Sequence, residues 1–169
     1  MSIAPIQPIG PTHQVSFGNK YGVRELWMNG KLPQVKMDIY GLPLSKRTCS
    51  REHVIPRSLG GSSFNSNIAL ADRYANSARG TKPLSQFTTL ENVVNYLLHF
   101  IGIKVKDNAN HVRFDGTKYA KGLIPSLKHE GFKLDVRGSS YIFTCVKSIG
   151  GYYGYFWQSK RISSWFKRG

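Results

Sequence analysis

Four polar residues between positions 52 and 76 could together bind a cation and activate a water molecule. Glu52 and His53 are adjacent, Asn67 follows fourteen residues after His53, and Asn76 follows nine residues after Asn67. A neutral histidine can accept a proton from water near neutral pH. If these side chains meet, they provide two oxygen ligands for a cation, a base, and an amide that fixes the base. The question is whether the surrounding elements bring them together.

The sequence around these residues predicts the order strand, loop, strand, helix. Residues 48–56 are strand-like and end at Pro56, and the Gly- and Ser-rich residues 57–66 indicate a loop. The apolar run 67–71 indicates a second strand, and Asp72, a typical N-cap residue, begins a helix predicted over 72–80. Adjacent residues on a strand point to opposite faces unless the strand bends or ends. A helix packed across the two strands would nevertheless let Asn76 approach Glu52.

Residues 48–83 resemble the core of the HNH endonucleases, whose fold is called ββα-metal. The resemblance lies in the order and spacing of Glu52-His53, Ile55-Pro56, Gly60-Gly61, Asn67-Ile68, Asn76 and Arg79-Gly80. It implies that His53 is the general base, that Glu52 and Asn76 ligate one divalent metal, and that Asn67 holds the loop and orients His53. A carboxylate and an amide favour Mg²⁺ or Mn²⁺ over zinc.

Many HNH proteins also hold a structural zinc between two CxxC pairs, and this chain departs from that pattern. The four corresponding positions are Met37, Tyr40, Asp72 and Ala75, and none of them is cysteine. Structural zinc needs Cys or His at such spacings, so we expect no structural zinc. We expect Met37, Tyr40 and Tyr74 to fill the space by apolar packing instead.

The charge of the chain points to a polyanionic partner. The sequence has 24 Lys and Arg against nine Asp and Glu, a formal net charge of +15, and its last 34 residues hold six basic residues and no acidic one. Nucleic acid, most often DNA in the HNH family, is the expected partner. We expect arginines beside the motif and cations among the C-terminal aromatics to contact phosphates: Arg57, Arg73, Arg79, Lys160, Arg161, Lys167 and Arg168.

The expected fold class is α+β, with an N-terminal β-hairpin region near Asn29-Gly30, the small ββα-metal core, an added amphipathic helix and a C-terminal β hairpin. The helix is predicted over 89–104, because Thr88 and Glu91 form a capping-box pattern before an apolar stripe. The predicted segments are a flexible Pro-rich start (1–14), the HNH region (15–87), a helical basic extension (88–135) and a basic aromatic segment (136–169).

Location and function follow from these features as expectations. No secretory leader or membrane-spanning run is recognised, and Cys49 and Cys145 form no CxxC pair, so an intracellular protein is expected. The favoured function is a metal-dependent HNH-type endonuclease acting on DNA. The alternatives are a non-catalytic nucleic-acid-binding or structural component built on the same scaffold, and a protein acting on RNA. Oligomeric state is not indicated.

Overall fold

The computed structural model describes residues 20–136, 141–146, 152–158 and 161–166. Within these ranges the protein is mixed α and β, and all paired strands are antiparallel, consistent with the α+β class. The helices are α1 (Val23–Met28), α2 (Arg73–Arg79), α3 (Leu90–Leu98) and α4 (Gly116–His129). The strands are β1 (Cys49–His53), β2 (Ile68–Asp72), β3 (Lys104–Lys106), β4 (Val112–Asp115), β5 (Leu134–Val136), β6 (Tyr141–Val146), β7 (Tyr152–Gln158) and β8 (Arg161–Phe166).

The strand, loop, strand, helix order predicted for residues 48–80 is confirmed. Strands β1 and β2 pair with Glu52 opposite Ala69 and His53 opposite Ile68. The side chain of Asp72 accepts hydrogen bonds from the two backbone N–H groups at positions 74 and 75, so it caps α2 as expected. Helix α2 therefore begins directly at the end of β2 and packs beside β1.

The second edge of β2 is covered by the rest of the fold. The backbone N–H of Ile39 donates to Leu70 O at 3.0 Å, and Leu70 N–H donates to Tyr96 Oη at 2.9 Å. The hydroxyl of Tyr119 donates to Ile68 O at 2.6 Å and lies 2.8 Å from Tyr96 Oη. Because a buried strand edge needs partners for its backbone groups, these bonds fix α3 and α4 against the ββα unit.

Helix α4 was not predicted as a separate element. It begins after the N-cap Asp115, whose carboxylate accepts from two backbone N–H groups of the first turn. Its buried apolar residues recur at helical spacing: Tyr119, Ala120, Leu123, Ile124 and Leu127. The many lysines of the segment conceal this stripe in the sequence. The added layer over the core is thus two helices, α3 and α4, rather than one.

The predicted N-terminal hairpin is wrong for the described residues. Val23 and Leu26 are buried and three residues apart, the spacing of a helix, and they lie on α1. Asn29 is the C-cap of that helix, and Gly30 follows with a φ of 74°. The Asn-Gly pair therefore ends a helix instead of forming a hairpin turn. Glycine in the left-handed conformation is common at the C-terminal end of a helix as well as in such turns. Residues 15–19 lie outside the described ranges.

The helix predicted over 89–104 is shorter than expected. It ends at Leu98, and Gly102, with a φ of 85°, follows in a turn that a helix cannot include. The N-cap is Thr89, which accepts from Asn92 N–H, rather than Thr88. Thr88 is buried and donates from Oγ1 to Ile39 O at 2.9 Å. A tertiary hydrogen bond thus decides which of two adjacent threonines caps the helix.

The predicted apolar filling of the vacated zinc position is wrong for Met37 and Tyr74, which are 38% and 62% exposed. Asp38, 1% exposed, joins the two segments instead. Its Oδ1 accepts from Tyr40 N–H and Leu42 N–H at 2.9 and 2.7 Å, and its Oδ2 accepts from the backbone N–H at position 72 at 2.6 Å. A buried carboxylate therefore connects the turn before β1 to the start of α2.

At the C-terminal end, strands β5 to β8 form a four-stranded sheet in chain order. The predicted hairpin is confirmed as its β6–β7 pair and is extended on both sides. Arg161 is the first residue of β8, and its side chain is not described; Lys160, Lys167 and Arg168 lie outside the described residues. Among the described residues, none of the helices has both the length and the apolar content to cross a membrane.

Candidate active site

Glu52 and His53 point to opposite faces of β1, as expected for neighbours on a regular strand. Glu52 faces the interior and is 2% exposed, whereas His53 is partly exposed. The hydroxyl of Ser50 lies 3.1 Å from Asn76 Nδ2 on α2, and Ser50 also lines the pocket beside His53. Arg51 shares the face of His53, and both line one surface pocket. The adjacent pair thus serves two different environments.

The imidazole of His53 is held by the loop that connects β1 and β2. Its Nε2 lies 3.0 Å from Ser63 Oγ. Burial, followed by the charges of Arg57 and Arg51, lowers the pKa of His53 below its ordinary value. The histidine is therefore neutral at physiological pH. When Nε2–H donates to Ser63, the lone pair is on Nδ1, which has no hydrogen-bond partner among the described residues and can accept a proton.

The pocket in front of His53 is strongly basic. Its volume is about 380 Å³, and four guanidinium groups line it, those of Arg24, Arg47, Arg51 and Arg73. The carboxylate of Glu25 lies 2.6 Å from Arg51 and 3.8 Å from Arg24, and Asp72 acts on the neighbouring Arg73, so the four arginines outnumber these two acids. A neutral base beside an excess of guanidinium groups suits a phosphodiester, because arginine matches the geometry of phosphate oxygens.

Behind β1, Glu52 belongs to a buried ionic network. Its Oε1 lies 3.1 Å from Arg79 Nη1, and its Oε2 accepts a hydrogen bond from the Tyr40 hydroxyl. The other side of Arg79 meets Glu130, whose Oε1 lies 2.7 Å from Nη2. Burial raises the pKa of Glu52, while the hydrogen bond from Tyr40 and the charge of Arg79 lower it. One cation between two carboxylates is the arrangement that makes such burial tolerable.

Arg79 uses all of its hydrogen-bond donors inside the protein. Besides the two carboxylates, its five N–H groups reach the carbonyl oxygens of His53, Val54 and Lys82 at 3.0, 2.8 and 2.7 Å. Its side chain is 0% exposed. The expectation that Arg79 contacts phosphate is therefore wrong: its position in the helix points it into the core, where it holds the backbone at His53.

Asn76 and Glu52 do not form a ready metal site in this arrangement. Asn76 Nδ2 donates to Ser50 Oγ and Arg51 O at 3.1 and 3.0 Å, which directs its amide at β1. Its Oδ1 has no partner among the described residues, but both oxygens of Glu52 are occupied by Tyr40 and Arg79. Within the described part of the chain, no three His, Cys, Asp or Glu residues cluster as metal ligands. Glu52 would have to leave Arg79 to bind a cation.

Asn67 holds the β1–β2 loop, as the resemblance implies. Its Oδ1 accepts from Ile55 N–H at 2.8 Å, and its Nδ2 donates to the carbonyls of Ile55 and Ser62 at 2.9 and 2.8 Å. It does not contact the imidazole of His53. It instead fixes the loop segment that ends at Ser63, which is the residue that contacts His53. The effect of Asn67 on the base is indirect.

Gly61 allows this loop to close. A Cβ at position 61 would lie 1.7 Å from Ile55 O and 2.7 Å from Asn67 Nδ2. Both distances are too short for a real Cβ contact, so position 61 requires glycine. We expect Gly61→Ala to lower the free energy of unfolding by at least about 2 kcal/mol, because the backbone at Ile55 must move to make room for the methyl group. Urea unfolding followed by circular dichroism measures this.

The matched control is Gly122→Ala on α4. A Cβ there meets nothing within 4 Å, and the position is in an exposed part of the helix. Alanine should stabilise the helix by about 0.5–1 kcal/mol. Equal effects of the two substitutions would contradict the close contact at Gly61.

Several residues of the site were not found from the sequence. Arg51 could have been, because residues 49, 51 and 53 share a face under strand alternation. Ser63, Tyr40 and Arg24 carry no sequence signal that connects them to His53 or Glu52. The partner of Arg79 at position 130 lies 51 residues away, so only the packing of α4 reveals it. Arg57 and Arg73 are exposed beside the site, as expected.

Comparison with protein-family models finds no match for this chain, and comparison with curated protein sequences finds no significant similarity.

Proposed function

We propose that the protein is an HNH-type endonuclease that hydrolyses phosphodiester bonds in nucleic acid, with DNA as the substrate that the resemblance implies. The observation that carries the proposal is the position of His53 in an arginine-rich pocket at the end of β1. The chain's net charge of +15 agrees with a polyanionic substrate.

In the proposed reaction, the arginines bind the phosphate and His53 takes the proton from the water that attacks phosphorus. The bond from phosphorus to the leaving sugar oxygen breaks, and that oxygen takes a proton from solvent. Arg51 and Arg73 stabilise the extra negative charge that develops on the phosphate oxygens. Ser63 holds the imidazole, and Arg79 holds the carbonyl of His53 from behind. Each role is performed by a group already in place before the substrate binds, which is the condition for electrostatic catalysis.

A divalent metal, Mg²⁺ or Mn²⁺, remains a prediction for this site, with Glu52 and Asn76 as its ligands. Such an ion would supply further positive charge at the leaving oxygen. The present pairing of Glu52 with Arg79 does not fit that role, so no step is assigned to the metal. Metal dependence is a separate measurable property of the reaction.

A second candidate is a non-catalytic nucleic-acid-binding component on the same scaffold. The observation in its favour is that Glu52, the only charged ligand of the expected metal site, is used in the buried ion pair with Arg79. The basic pocket would serve binding equally well.

Cleavage of supercoiled plasmid and of circular single-stranded DNA by the purified protein tests the proposal, each with Mg²⁺, Mn²⁺ or EDTA. Nicked, linear or shortened products are expected. Products that disappear with EDTA would support the metal site, and products that persist would support the arginine-based reaction. No cleavage of either substrate, with binding intact, would favour the second candidate.

The pH dependence of cleavage should report the base. Because His53 must be neutral and its pKa is lowered, kcat/KM should rise with pH through a midpoint below about 6.5 and then stay level to about pH 8. Arg57→Gln should move the midpoint upward, since it removes one of the charges that lower the pKa. Arg113→Gln, a change at a distant surface ion pair, is the control. A rate that falls between pH 5 and 7 would contradict a histidine base.

A further inference from the structure

Two exposed aromatic side chains directly follow residues that contact or line the basic pocket. Between residues 20 and 134, six large hydrophobic side chains are clearly exposed, and the aromatic ones among these six are Phe64 at 56% and Tyr74 at 62%. Phe64 follows Ser63, whose hydroxyl contacts His53, and Tyr74 follows Arg73, which lines the pocket. Each ring is thus the chain neighbour of a residue at the pocket, and an exposed aromatic face beside guanidinium groups can stack on a planar ligand.

Both rings stand on rigid backbone. Phe64 O accepts from Asn67 N–H at 2.8 Å, within the loop that the Asn67 side chain also holds. Tyr74 lies in the first turn of α2, where its backbone N–H donates to Asp72. Arg73 lies with its guanidinium carbon 5.0 Å from the centre of the Tyr74 ring. Rigid aromatic side chains lose little conformational entropy when they stack on a ligand.

We propose, resting on the proposed function, that the site selects single-stranded nucleic acid, with Phe64 and Tyr74 stacking on unpaired bases. Guanidinium groups bind phosphates in any nucleic acid, but the faces of bases are available to an aromatic ring only where the strand is unpaired. An arginine already placed over a tyrosine ring provides charge and a stacking surface together. A purely duplex-binding surface would have no use for two exposed rings.

Binding without turnover tests this inference. The full chain in EDTA is titrated into two labelled probes of equal length, a 20-nucleotide oligothymidylate and a 20-base-pair duplex, at two salt concentrations. We expect tighter binding to the single strand, and both affinities should fall as salt rises. Phe64→Ala and Tyr74→Ala should each weaken single-strand binding roughly tenfold and duplex binding much less.

Leu59→Ala is the matched control, because Leu59 is 62% exposed in the same loop but has no ring to stack. It should change single-strand affinity by less than about twofold. All three residues are exposed, so these variants should fold, which circular dichroism checks. Phe64→Trp should retain or improve single-strand binding.

Equal affinity for the two probes, or single-strand affinity unchanged in both aromatic variants, would overturn the inference and point to a protein partner for the exposed rings. These outcomes are separate from the nuclease test, since binding in EDTA is independent of cleavage. A protein that cleaves plasmid but binds both probes equally retains the proposed function and loses only this selectivity. A protein that cleaves nothing but passes the binding test loses only the catalytic role.

Discussion

His53→Ala should lower kcat for nucleic-acid cleavage by about 10²- to 10⁴-fold, the contribution of a positioned general base. His53 is neutral in the folded protein, so its loss removes no charge from the pocket, and the affinity for the oligonucleotide should stay within about threefold. Single-turnover cleavage gives the rate, and fluorescence anisotropy gives the affinity. Ser63→Ala should produce a smaller loss of rate, because it releases the imidazole without removing it.

The control for this prediction is His111→Ala, the same change at a histidine whose side chain is 69% exposed and does not line the pocket. It should leave kcat unchanged. If His53→Ala raised Kd and lowered the cleavage rate by the same factor, the loss of rate would come from weaker binding, and His53 would be a structural residue. The catalytic proposal would then fail, and the binding candidate would remain.

The second large effect is expected at Arg79. Arg79→Met removes the guanidinium between Glu52 and Glu130 and leaves two buried carboxylates without their shared cation, so the free energy of unfolding should fall by about 3–5 kcal/mol. Three backbone carbonyls also lose their donor. Urea unfolding at pH 7 measures the loss. Arg79→Lys should recover only part of it, because an ammonium cannot reach five acceptors.

Arg113→Met is the matched control. Arg113 pairs with Asp107 at 2.6 Å on the surface, where water screens the charges, and its loss should have a far smaller effect on stability. A similar effect of the two substitutions would show that Arg79 is not the buried hub of the core. Combining Arg79→Met with Glu52→Gln and Glu130→Gln should restore part of the stability, because the unpaired charges are then removed.

These two experiments separate stability from chemistry at two residues in contact, His53 on β1 and Arg79 on α2. Replacing His53 should affect turnover and leave folding nearly intact, since its side chain has one hydrogen bond to the loop. Replacing Arg79 should affect folding first, and any loss of activity should follow the folded fraction. A variant of Arg79 that remained folded but inactive would instead indicate that Arg79 positions His53 through its carbonyl.

The sequence by itself determined the local ββα unit. The run of apolar residues in β2, the capping carboxylate of Asp72 and the glycine pair of the loop depend on neighbours close in the chain, and such short-range preferences can be read directly. The role of Asn67 in holding the loop was likewise foreseen. The choice between Thr88 and Thr89 as cap was not, because a tertiary hydrogen bond from Thr88 decided it.

Only the tertiary structure decided what Glu52 and Arg79 do. The sequence predicted a metal ligand at Glu52 and a phosphate contact at Arg79. In the structure Arg79 lies buried between Glu52 and Glu130, which is 51 residues after Arg79 in the chain. Long-range contacts of this kind depend on how α4 packs, which no local pattern encodes. The exposure of Phe64 and Tyr74 was hidden for the same reason: a sequence shows that a ring is present, and only the packed chain shows that nothing described covers it.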